Sequence, residues 1–282
     1  MNVVAKHRPI ASLPAAQASP REPAGMLGQA TSSLRGPLQA WLQSRYGLAD
    51  LHARQKWNIL WPKLAELPGR GLSVLDAGCG DGIWSFELAA RRPDWRIEGI
   101  DFDAEKIGWA ERDRQRLAVT SARFRVADFL AFTPAEPVDV VLSVASAHYL
   151  AQTGRGVELL GCFRRWLRPG GKLILYGPRH LPESPLAGWL PKLSGDWGFT
   201  RSQLEDWCRE AGFTVETLEP AVGRLGTVAK QLAIYAGGSA PLRAACYPLT
   251  LALDWMDRKR TDPDRASSAW RLVAARNAEE RA

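Results

Sequence analysis

The sequence predicts an α/β fold: a doubly wound, mostly parallel seven-stranded sheet with an antiparallel edge hairpin, a helical N-terminal lid and a C-terminal helix. Three observations predict it. From residue 72 to residue 211, short β-branched and apolar runs alternate with segments of helical periodicity. A glycine-rich turn follows the first run, and the last two strand-like segments are joined without an evident helix. The alternation requires parallel strands covered on both faces, whereas the short final link favours an antiparallel pair.

The predicted strands follow one another at intervals that leave room for a helix between most of them. They lie at 72–76, 96–100, 124–126, 138–144, 172–176, 213–218 and 228–235. Helices are predicted from the glycine turn to about residue 91, and at about 104–117, 154–167 and 201–211. The segment Arg-Pro-Gly-Gly at 168–171 predicts a turn before the fifth strand.

The regions on either side of this sheet divide the chain into four predicted parts. Residues 1–36, rich in Ala, Pro, Ser and Gly, are expected to be a disordered or loosely attached arm. Residues 37–69 carry apolar residues at three- and four-residue steps, which predicts a helical lid. The central domain is expected at 70–237, with an insertion at 178–200 interpreted as a substrate cap, and a helical extension at 238–282.

The distribution of charge limits the classes of partner. The 282 residues include 37 Lys and Arg against 30 Asp and Glu, a net charge of +7. Residues 1–40 carry a surplus of three positive charges, residues 241–282 a surplus of two, and the long middle of the chain a surplus of only two. Long blocks of like charge, which bind phosphate backbones, are absent from the sequence, and this argues against a nucleic-acid partner.

Cysteine spacing and hydropathy limit the compartment. The four Cys residues lie far apart without a CxxC pair, which argues against both a zinc knuckle and a disulfide framework, and no metal-binding residues are predicted. No apolar run approaches the ~18–20 residues that a membrane-spanning helix needs. The first residues also lack the apolar stretch of a secretory signal. We therefore expect a cytoplasmic protein.

The most informative segment is the glycine-rich turn at 74–82, Val-Leu-Asp-Ala-Gly-Cys-Gly-Asp-Gly. Open α/β sheets bind cofactors at this position, because glycines let the backbone approach a ligand closely. The dinucleotide fingerprint GxGxxG would need a third glycine at position 83, which is Ile83. Asp76 would also repel a diphosphate and attract a cation. The turn therefore favours a cationic nucleoside over NAD.

The segment Asp-Ala-Gly-Cys-Gly-Asp-Gly at 76–82 resembles motif I of the class I S-adenosylmethionine-dependent methyltransferases. Later segments are similar to the landmarks that follow motif I in this family, and they occur in the same order at compatible spacing. They are 99–102, 127–129, 138–143 and 167–173. The resemblance covers about residues 70–236 and implies the same seven-stranded fold.

The resemblance also implies the cofactor, S-adenosylmethionine, and the residues that bind it. Asp101 is expected to hold both ribose hydroxyls, although it or Asp103 could instead cap a helix; Asp128 is expected at the adenine amino group or, alternatively, as a turn cap. Cys79 is expected to contribute its backbone rather than a catalytic thiol. The complete predicted set is Asp76, Ala77, Gly78, Cys79, Gly80, Asp101, Phe102, Asp128, Phe129 and Ser143.

His148 is the predicted catalytic residue. It lies just beyond the fourth strand, where an imidazole could take a proton from a hydroxyl or amine acceptor, or alternatively position the substrate or cap a helix. His180, after the fifth strand, is a weaker candidate. The family chemistry is direct displacement at a methyl group on sulfonium sulfur, so the protein chiefly aligns the acceptor and excludes water.

The acceptor is expected to be a small molecule, natural product, lipid or glycan with hydrophobic bulk, methylated at oxygen or nitrogen. Half of the twelve Trp residues lie in the regions predicted to cover it: Trp41, Trp57, Trp61, Trp189, Trp197 and Trp255. The apolar-then-basic segment 241–260 could pack on the domain, join a homodimer or contact a membrane surface; the protein is expected to be a monomer or homodimer. A non-catalytic cofactor-binding partner or regulator remains an alternative, and a nicotinamide-dependent oxidoreductase is less favoured.

Overall fold

The structure is a computed structural model, and it describes residues 51–151, 153–179, 198–235, 240–259 and 268–277. The predicted arm at 1–36, the first part of the lid and most of the insertion at 178–200 lie outside the described residues. So do Trp41, Trp189, Trp197 and His180. The sheet and the site at its edge fall within the described ranges.

A seven-stranded sheet forms the centre of the protein. Its strands are β1 (Ser73–Ala77), β2 (Arg96–Asp101), β3 (Ala122–Val126), β4 (Val138–Val144), β5 (Leu167–Pro178), β6 (Phe213–Pro220) and β7 (Ala269–Arg276). Their order is β3-β2-β1-β4-β5-β7-β6. The first five are parallel, and β7 is antiparallel to both β5 and β6. The predicted fold class is confirmed.

Helices connect the strands and cover both faces of the sheet. They are α1 (Leu51–Ala65), α2 (Ile83–Arg91), α3 (Ala104–Arg116), α4 (Ala147–Ala151), α5 (Gly156–Trp166), α6 (Arg201–Glu210), α7 (Arg224–Tyr235) and α8 (Ala240–Arg258). Local signals explain several helix starts. The Asp103 side chain caps α3, and Thr200 with Gln203 forms a capping box at α6.

The assignment of 228–235 as the seventh strand was wrong, because this segment is part of helix α7. Burial alternates along its first residues, with Thr227, Ala229 and Gln231 buried and Val228 45% exposed, so the segment resembles a strand although its backbone is helical. Asp257, which is far from this segment in the sequence, stabilises the start of the helix. Its carboxylate accepts hydrogen bonds from the backbone N–H groups of Gly223 (2.8 Å) and Leu225 (3.1 Å).

The true seventh strand, β7, comes from 269–276, within the range 238–282 that was predicted as a helical extension. That range contains the predicted helix, α8, followed by a strand that inserts between β5 and β6. The antiparallel edge thus exists, but two helices, not a short link, separate its strands. The sheet therefore extends past residue 237, the predicted end of the central domain.

The Arg-Pro-Gly-Gly segment at 168–171 is a bulge inside β5 and not a separate turn. The pairing with β4 shifts there, from Val138–Leu167 to Val140–Lys172, and Gly170 has a φ of 77°. The strand therefore begins directly where α5 ends.

Two apolar clusters hold the layers together. On one face α5 and α6 bury Phe163, Trp166 and Leu204; on the other, α1 and α2 bury Leu60 and Leu88. Each such side chain contributes roughly 1.5–3 kcal/mol on burial. Packing on both faces fixes the carboxyl ends of the parallel strands at one edge, where the glycine turn lies. None of the helices in the described part of the chain is long and apolar enough to cross a membrane.

Candidate active site

The glycine turn follows β1 and is tied to the end of β2. The backbone N–H groups of Gly78 and Cys79 both donate to the carbonyl oxygen of Ile100, at 2.8 and 3.0 Å. Gly78, Gly80 and Gly82 have φ values of 79°, 56° and 80°, the left-handed region that favours glycine. The sequence forms this turn because three glycines adopt these values without the steric cost that a Cβ would add.

The loop after β4 lies directly against this turn. A Cβ on Gly78 would be 2.2 Å from the Cβ of Ser146, so only glycine leaves room for the serine. The Ser146 hydroxyl donates to the carbonyl oxygen of Ala77 at 2.8 Å and is 2.9 Å from the hydroxyl of Ser143. The structure thus brings together Ala77, Gly78 and Ser143, three of the predicted residues.

Asp101 ends β2 and faces the turn with 7% of its surface exposed. One carboxylate oxygen accepts the N–H of Gly80 at 2.9 Å, and the other accepts the N–H of Asp103 at 3.0 Å. Because each carboxylate oxygen can accept more than one hydrogen bond, Asp101 retains capacity for further donors. Asp103, not Asp101, caps helix α3. The neighbouring Phe102 is 75% exposed.

Asp128 and Phe129 follow β3 at the same edge. The N–H of Ala127 donates to the carbonyl oxygen of Asp101 at 2.9 Å, which brings this turn beside the end of β2. One carboxylate oxygen of Asp128 accepts the N–H of Leu130 at 2.8 Å, so the predicted capping alternative is present too. The Phe129 ring lies within 3.2 Å of where a Cβ on Gly78 would be.

Burial dominates the electrostatics of Asp76. Desolvation raises the pKa of this fully buried carboxyl from 3.8 to about 7; a hydrogen bond from Ser85 (2.7 Å) opposes the rise, and the charge of Asp101 adds to it. The other oxygen of Asp76 is buried with no hydrogen-bond partner among the described residues. A cation beside this oxygen would stabilise the ionised form. The site therefore fits a cofactor that carries an ammonium group.

Cys79 occupies the middle of the turn, but its thiol is poorly suited to catalysis. The side chain is 3% exposed, and burial raises the pKa of the thiol well above its ordinary value. A protonated, enclosed thiol is a weak nucleophile. The backbone of Cys79 is the part that shapes the turn.

His148 lies on the short helix α4, two residues after Ser146. The imidazole is 8% exposed and packs against the Tyr149 ring at a centroid distance of 4.1 Å. Burial, and then the positive charges of Lys56 and Lys230, lower the pKa of His148 from 6.5 to about 4. Nδ1 is buried and has no hydrogen-bond partner within the described ranges.

A group of polar residues near His148 was not predicted from the sequence. Tyr176 of β5 pairs with Val144, the last residue of β4, and the Lys56 ammonium lies 5.8 Å from the centre of the Tyr176 ring. Lys230 lies on α7, the segment wrongly assigned as a strand. No short motif marks these residues, because they come from separate parts of the chain. A correct helical assignment of 224–235 would have given the only sequence signal for Lys230.

The predicted cover of tryptophans is only partly present in the described residues. Trp57 is 4% exposed and stacks between Trp61 (5.4 Å) and Trp84 (6.2 Å), so it belongs to the core. Trp255 on α8 is 58% exposed.

Part of the chain is similar in sequence to known methyltransferases. A family described as a methyltransferase domain matches residues 74–171. A trans-aconitate 2-methyltransferase from Azoarcus sp. (strain BH72) is 34% identical over 135 residues, which cover 48% of this chain and 50% of that protein. A ribosomal RNA large subunit methyltransferase G from Streptomyces coelicolor is 36% identical over 117 residues, or 40% of this chain and 31% of that protein.

The fold is also that of solved methyltransferase structures. Geranyl diphosphate C-methyltransferase from Streptomyces coelicolor A3(2), in complex with Mg²⁺, geranyl diphosphate and S-adenosyl-L-homocysteine, superposes with a TM-score of 0.56 at 18% identity, covering 79% of this chain and 78% of that one. The chain spans half the length, or less, of the two sequence relatives. Together with the strand order and the glycine turn, the matches identify a methyltransferase domain at residues 74–171 with the fold of class I S-adenosylmethionine-dependent enzymes, which confirms the predicted family for this part of the chain.

Proposed function

We propose that the protein transfers a methyl group from S-adenosylmethionine to an oxygen or nitrogen of a small-molecule acceptor, in the class of natural products, lipids or glycans. The observation that carries the proposal is the placement of His148 within one turn of Ser146, whose side chain lies against Gly78. The cofactor turn therefore shares one edge of the sheet with an imidazole nitrogen that has no hydrogen-bond partner among the described residues.

The cofactor-binding roles follow from the contacts already described. Asp101 has its carboxylate fixed by two backbone N–H groups, which orients it to accept the ribose hydroxyls. We place Asp128 at the adenine amino group of the cofactor and Asp76 near its ammonium group. Phe102 and Phe129 are proposed to lie beside the adenine and ribose rings. When bound, the cofactor supplies a methyl group already activated by a positively charged sulfur. Alignment and exclusion of water are then the main tasks of the protein.

The proposed role of His148 is to accept a hydrogen bond from the acceptor and to take its proton as the new bond forms. The acceptor lone pair forms the bond to the methyl carbon while the carbon–sulfur bond breaks and its electrons stay on sulfur. Because the pKa of His148 is lowered to about 4, the imidazole is neutral at physiological pH and available as an acceptor. A hydroxyl or amine acceptor carries a proton that a base must remove, whereas an ionised carboxylate acceptor does not.

A small-molecule acceptor is favoured over RNA, although one sequence relative is named for ribosomal RNA. The net charge of +7 is concentrated in the flanks of the chain, and the region between them is nearly balanced. Binding to a phosphate backbone depends on clustered positive charge. A non-catalytic cofactor-binding protein remains the second candidate, because cofactor contacts alone do not require transfer.

The predicted contact of 241–260 with a membrane surface or a second copy stays a proposal. Helix α8 buries Thr250 and Asp254, while its outer side exposes Leu249 (53%), Trp255 (58%) and Met256 (47%). Exposed apolar side chains of this size on one helix support a docking surface.

Two measurements test the proposed function. Calorimetry with S-adenosylhomocysteine and with NAD should show binding of the former alone; failure of S-adenosylhomocysteine to bind would overturn the assignment. Next, methyl-labelled S-adenosylmethionine is incubated with separate small-molecule, RNA and protein fractions of a bacterial extract. We expect label in the small-molecule fraction, strongly reduced by His148→Ala with unchanged cofactor affinity. Label in RNA would refute the acceptor class, and label in no fraction would favour the non-catalytic alternative.

A further inference from the structure

A pocket outside the glycine turn lies between α1, α7 and α8. It is partly open to solvent and is lined by polar side chains from all three helices, among them Arg54, Gln55, Lys230, Thr250 and Asp254. We name this set the cation pocket. None of its lining residues belongs to the segments that resemble cofactor motifs.

Two cations line this pocket without a carboxylate partner in the described ranges. Arg54 has a terminal nitrogen, Nη1, that is buried without a hydrogen-bond partner there. Lys230 is partly buried, and burial lowers the pKa of its ammonium with no carboxylate opposing that shift. A charge removed from water is costly unless an opposite charge compensates it. The pocket therefore has two positive groups that would gain from an anion.

Asp254, the one carboxylate among the described residues that line the pocket, already has partners. One oxygen of Asp254 accepts a hydrogen bond from Gln55 Nε2 at 3.1 Å, and the other lies 3.0 Å from a guanidinium nitrogen of Arg258. Gln55 also donates to the carbonyl oxygen of Gly226 at 3.0 Å, so the three helices are joined by these bonds. Asp254 thus holds the pocket together and does not neutralise Arg54 or Lys230.

Charged residues that line the cation pocket act on groups near the proposed transfer site. Lys56, two residues after Arg54 on α1, places its ammonium 5.8 Å from the ring centre of Tyr176, at the carboxyl end of β5. The positive charge of Lys230 reaches His148, where it helps to lower the pKa of the imidazole. A molecule with one group near His148 could therefore place a second group near Lys230.

We infer that the cation pocket binds a carboxylate or phosphate group of the methyl acceptor, with Lys230 as the principal charge and Arg54 as its companion. The inference rests on the proposed function and narrows it to anionic acceptors. The alternative source of an anion is the carboxylate of the cofactor itself. Two of the three walls come from α7 and α8, which carry none of the residues expected to bind the cofactor, and this favours the acceptor.

The test uses the full chain saturated with S-adenosylhomocysteine, with citrate and pyrophosphate as the probes titrated by calorimetry. We expect the protein to bind citrate, pyrophosphate or both. Lys230→Gln should weaken that binding by about tenfold or more, the scale of a lost charged hydrogen bond, while the affinity for S-adenosylhomocysteine stays unchanged. Lys259→Gln, which removes an exposed lysine after α8, is the matched control. Lys230→Arg should retain most of the affinity, which separates a charge effect from a folding defect.

Each other outcome overturns the inference in a distinguishable way. Unchanged citrate and pyrophosphate binding in Lys230→Gln, or no binding of either probe to the parent protein, would remove the cation pocket as an anion site. Weaker S-adenosylhomocysteine binding in Lys230→Gln would assign the pocket to the cofactor carboxylate. Loss of S-adenosylhomocysteine binding by the parent protein would instead refute the proposed function.

Discussion

Replacing the buried carboxyl of Asp76 by the isosteric amide should make the cofactor-free protein more stable at alkaline pH. Asp76 is fully buried, and one of its oxygens has no hydrogen-bond partner in the described part of the chain. Asp76→Asn keeps the shape, and its carbonyl oxygen can still accept the hydrogen bond from Ser85. The substitution removes the charge that burial makes unfavourable and places an amide N–H₂ group at the position of the other carboxylate oxygen.

The size of the effect follows from the raised pKa. A carboxyl whose pKa is about 7 in the folded protein and 3.8 when unfolded holds its proton more tightly in the folded state. Stability is therefore lost as the pH rises from about 4 to about 7. A shift of about 3 pH units corresponds to about 4 kcal/mol, because each unit is worth 1.36 kcal/mol. We expect the free energy of unfolding of the variant to exceed that of the parent by up to about this amount at pH 8, and to match it near pH 4.

Urea unfolding of the parent and Asp76→Asn at several pH values would measure this difference. The free energies of unfolding of parent and variant must be subtracted at each pH. Both proteins contain His148, whose pKa is lowered to about 4, and its titration changes stability in the opposite direction over an overlapping pH range. Glu136→Gln, at an exposed carboxylate in the loop before β4, is the control and should show no such pH dependence. A stability difference that does not grow between pH 4 and pH 8 would refute the account of Asp76.

The same substitution should weaken binding of the cofactor. A neutral amide cannot compensate an ammonium group, so affinity for S-adenosylhomocysteine at pH 8 should fall by roughly 1.5–3 kcal/mol. Stability and binding would thus change in opposite directions, as expected where a site keeps an unfavourable charge for function. Unchanged affinity would show that Asp76 does not contact the cationic part of the cofactor.

Three further substitutions test separate contacts. Gly78→Ala should abolish S-adenosylhomocysteine binding and lower the melting temperature, because the new Cβ would lie 2.2 Å from a serine Cβ of the loop after β4; retained binding in calorimetry would contradict that geometry. Asp101→Asn should weaken cofactor binding by roughly 1.5–3 kcal/mol, and equal affinity would show that its carboxylate does not hold the ribose. Thr200→Ala should cost about 1 kcal/mol in urea unfolding through loss of the capping box at α6, with cofactor affinity unchanged; no loss of stability would contradict the cap.

The parallel half of the fold could be predicted because its signals are local. Strands β1, β2 and β4, the glycine turn and the cap at Thr200 each depend on residues adjacent in the chain. The spacing between the glycine turn and Asp101 could also be recognised, because one helix and one strand separate them. The structure places these groups at one edge, with Gly80 bonded to Asp101.

The antiparallel edge could not be predicted in this way. The segment 228–235 has the apolar and β-branched residues of a strand, and nothing local identifies it as a helix. Its start is stabilised by Asp257, a residue more than 30 positions away, through bonds to Gly223 and Leu225. Tertiary contacts of this kind override local propensity. Because 228–235 was assigned as the seventh strand, the true seventh strand at 269–276 was not predicted.

The division between local and long-range signals also separates the two halves of the site. The matched region, 74–171, contains every predicted cofactor residue, whereas the cation pocket is built by residues before and after it, joined by the bond from Gln55 to Asp254 across 199 positions. The two relatives described above are both named as methyltransferases, but their names give different acceptors, trans-aconitate and ribosomal RNA. We therefore look to α1, α7 and α8 for the proposed acceptor, and Lys230→Gln, rather than a change in the glycine turn, tests whether that acceptor carries an anionic group.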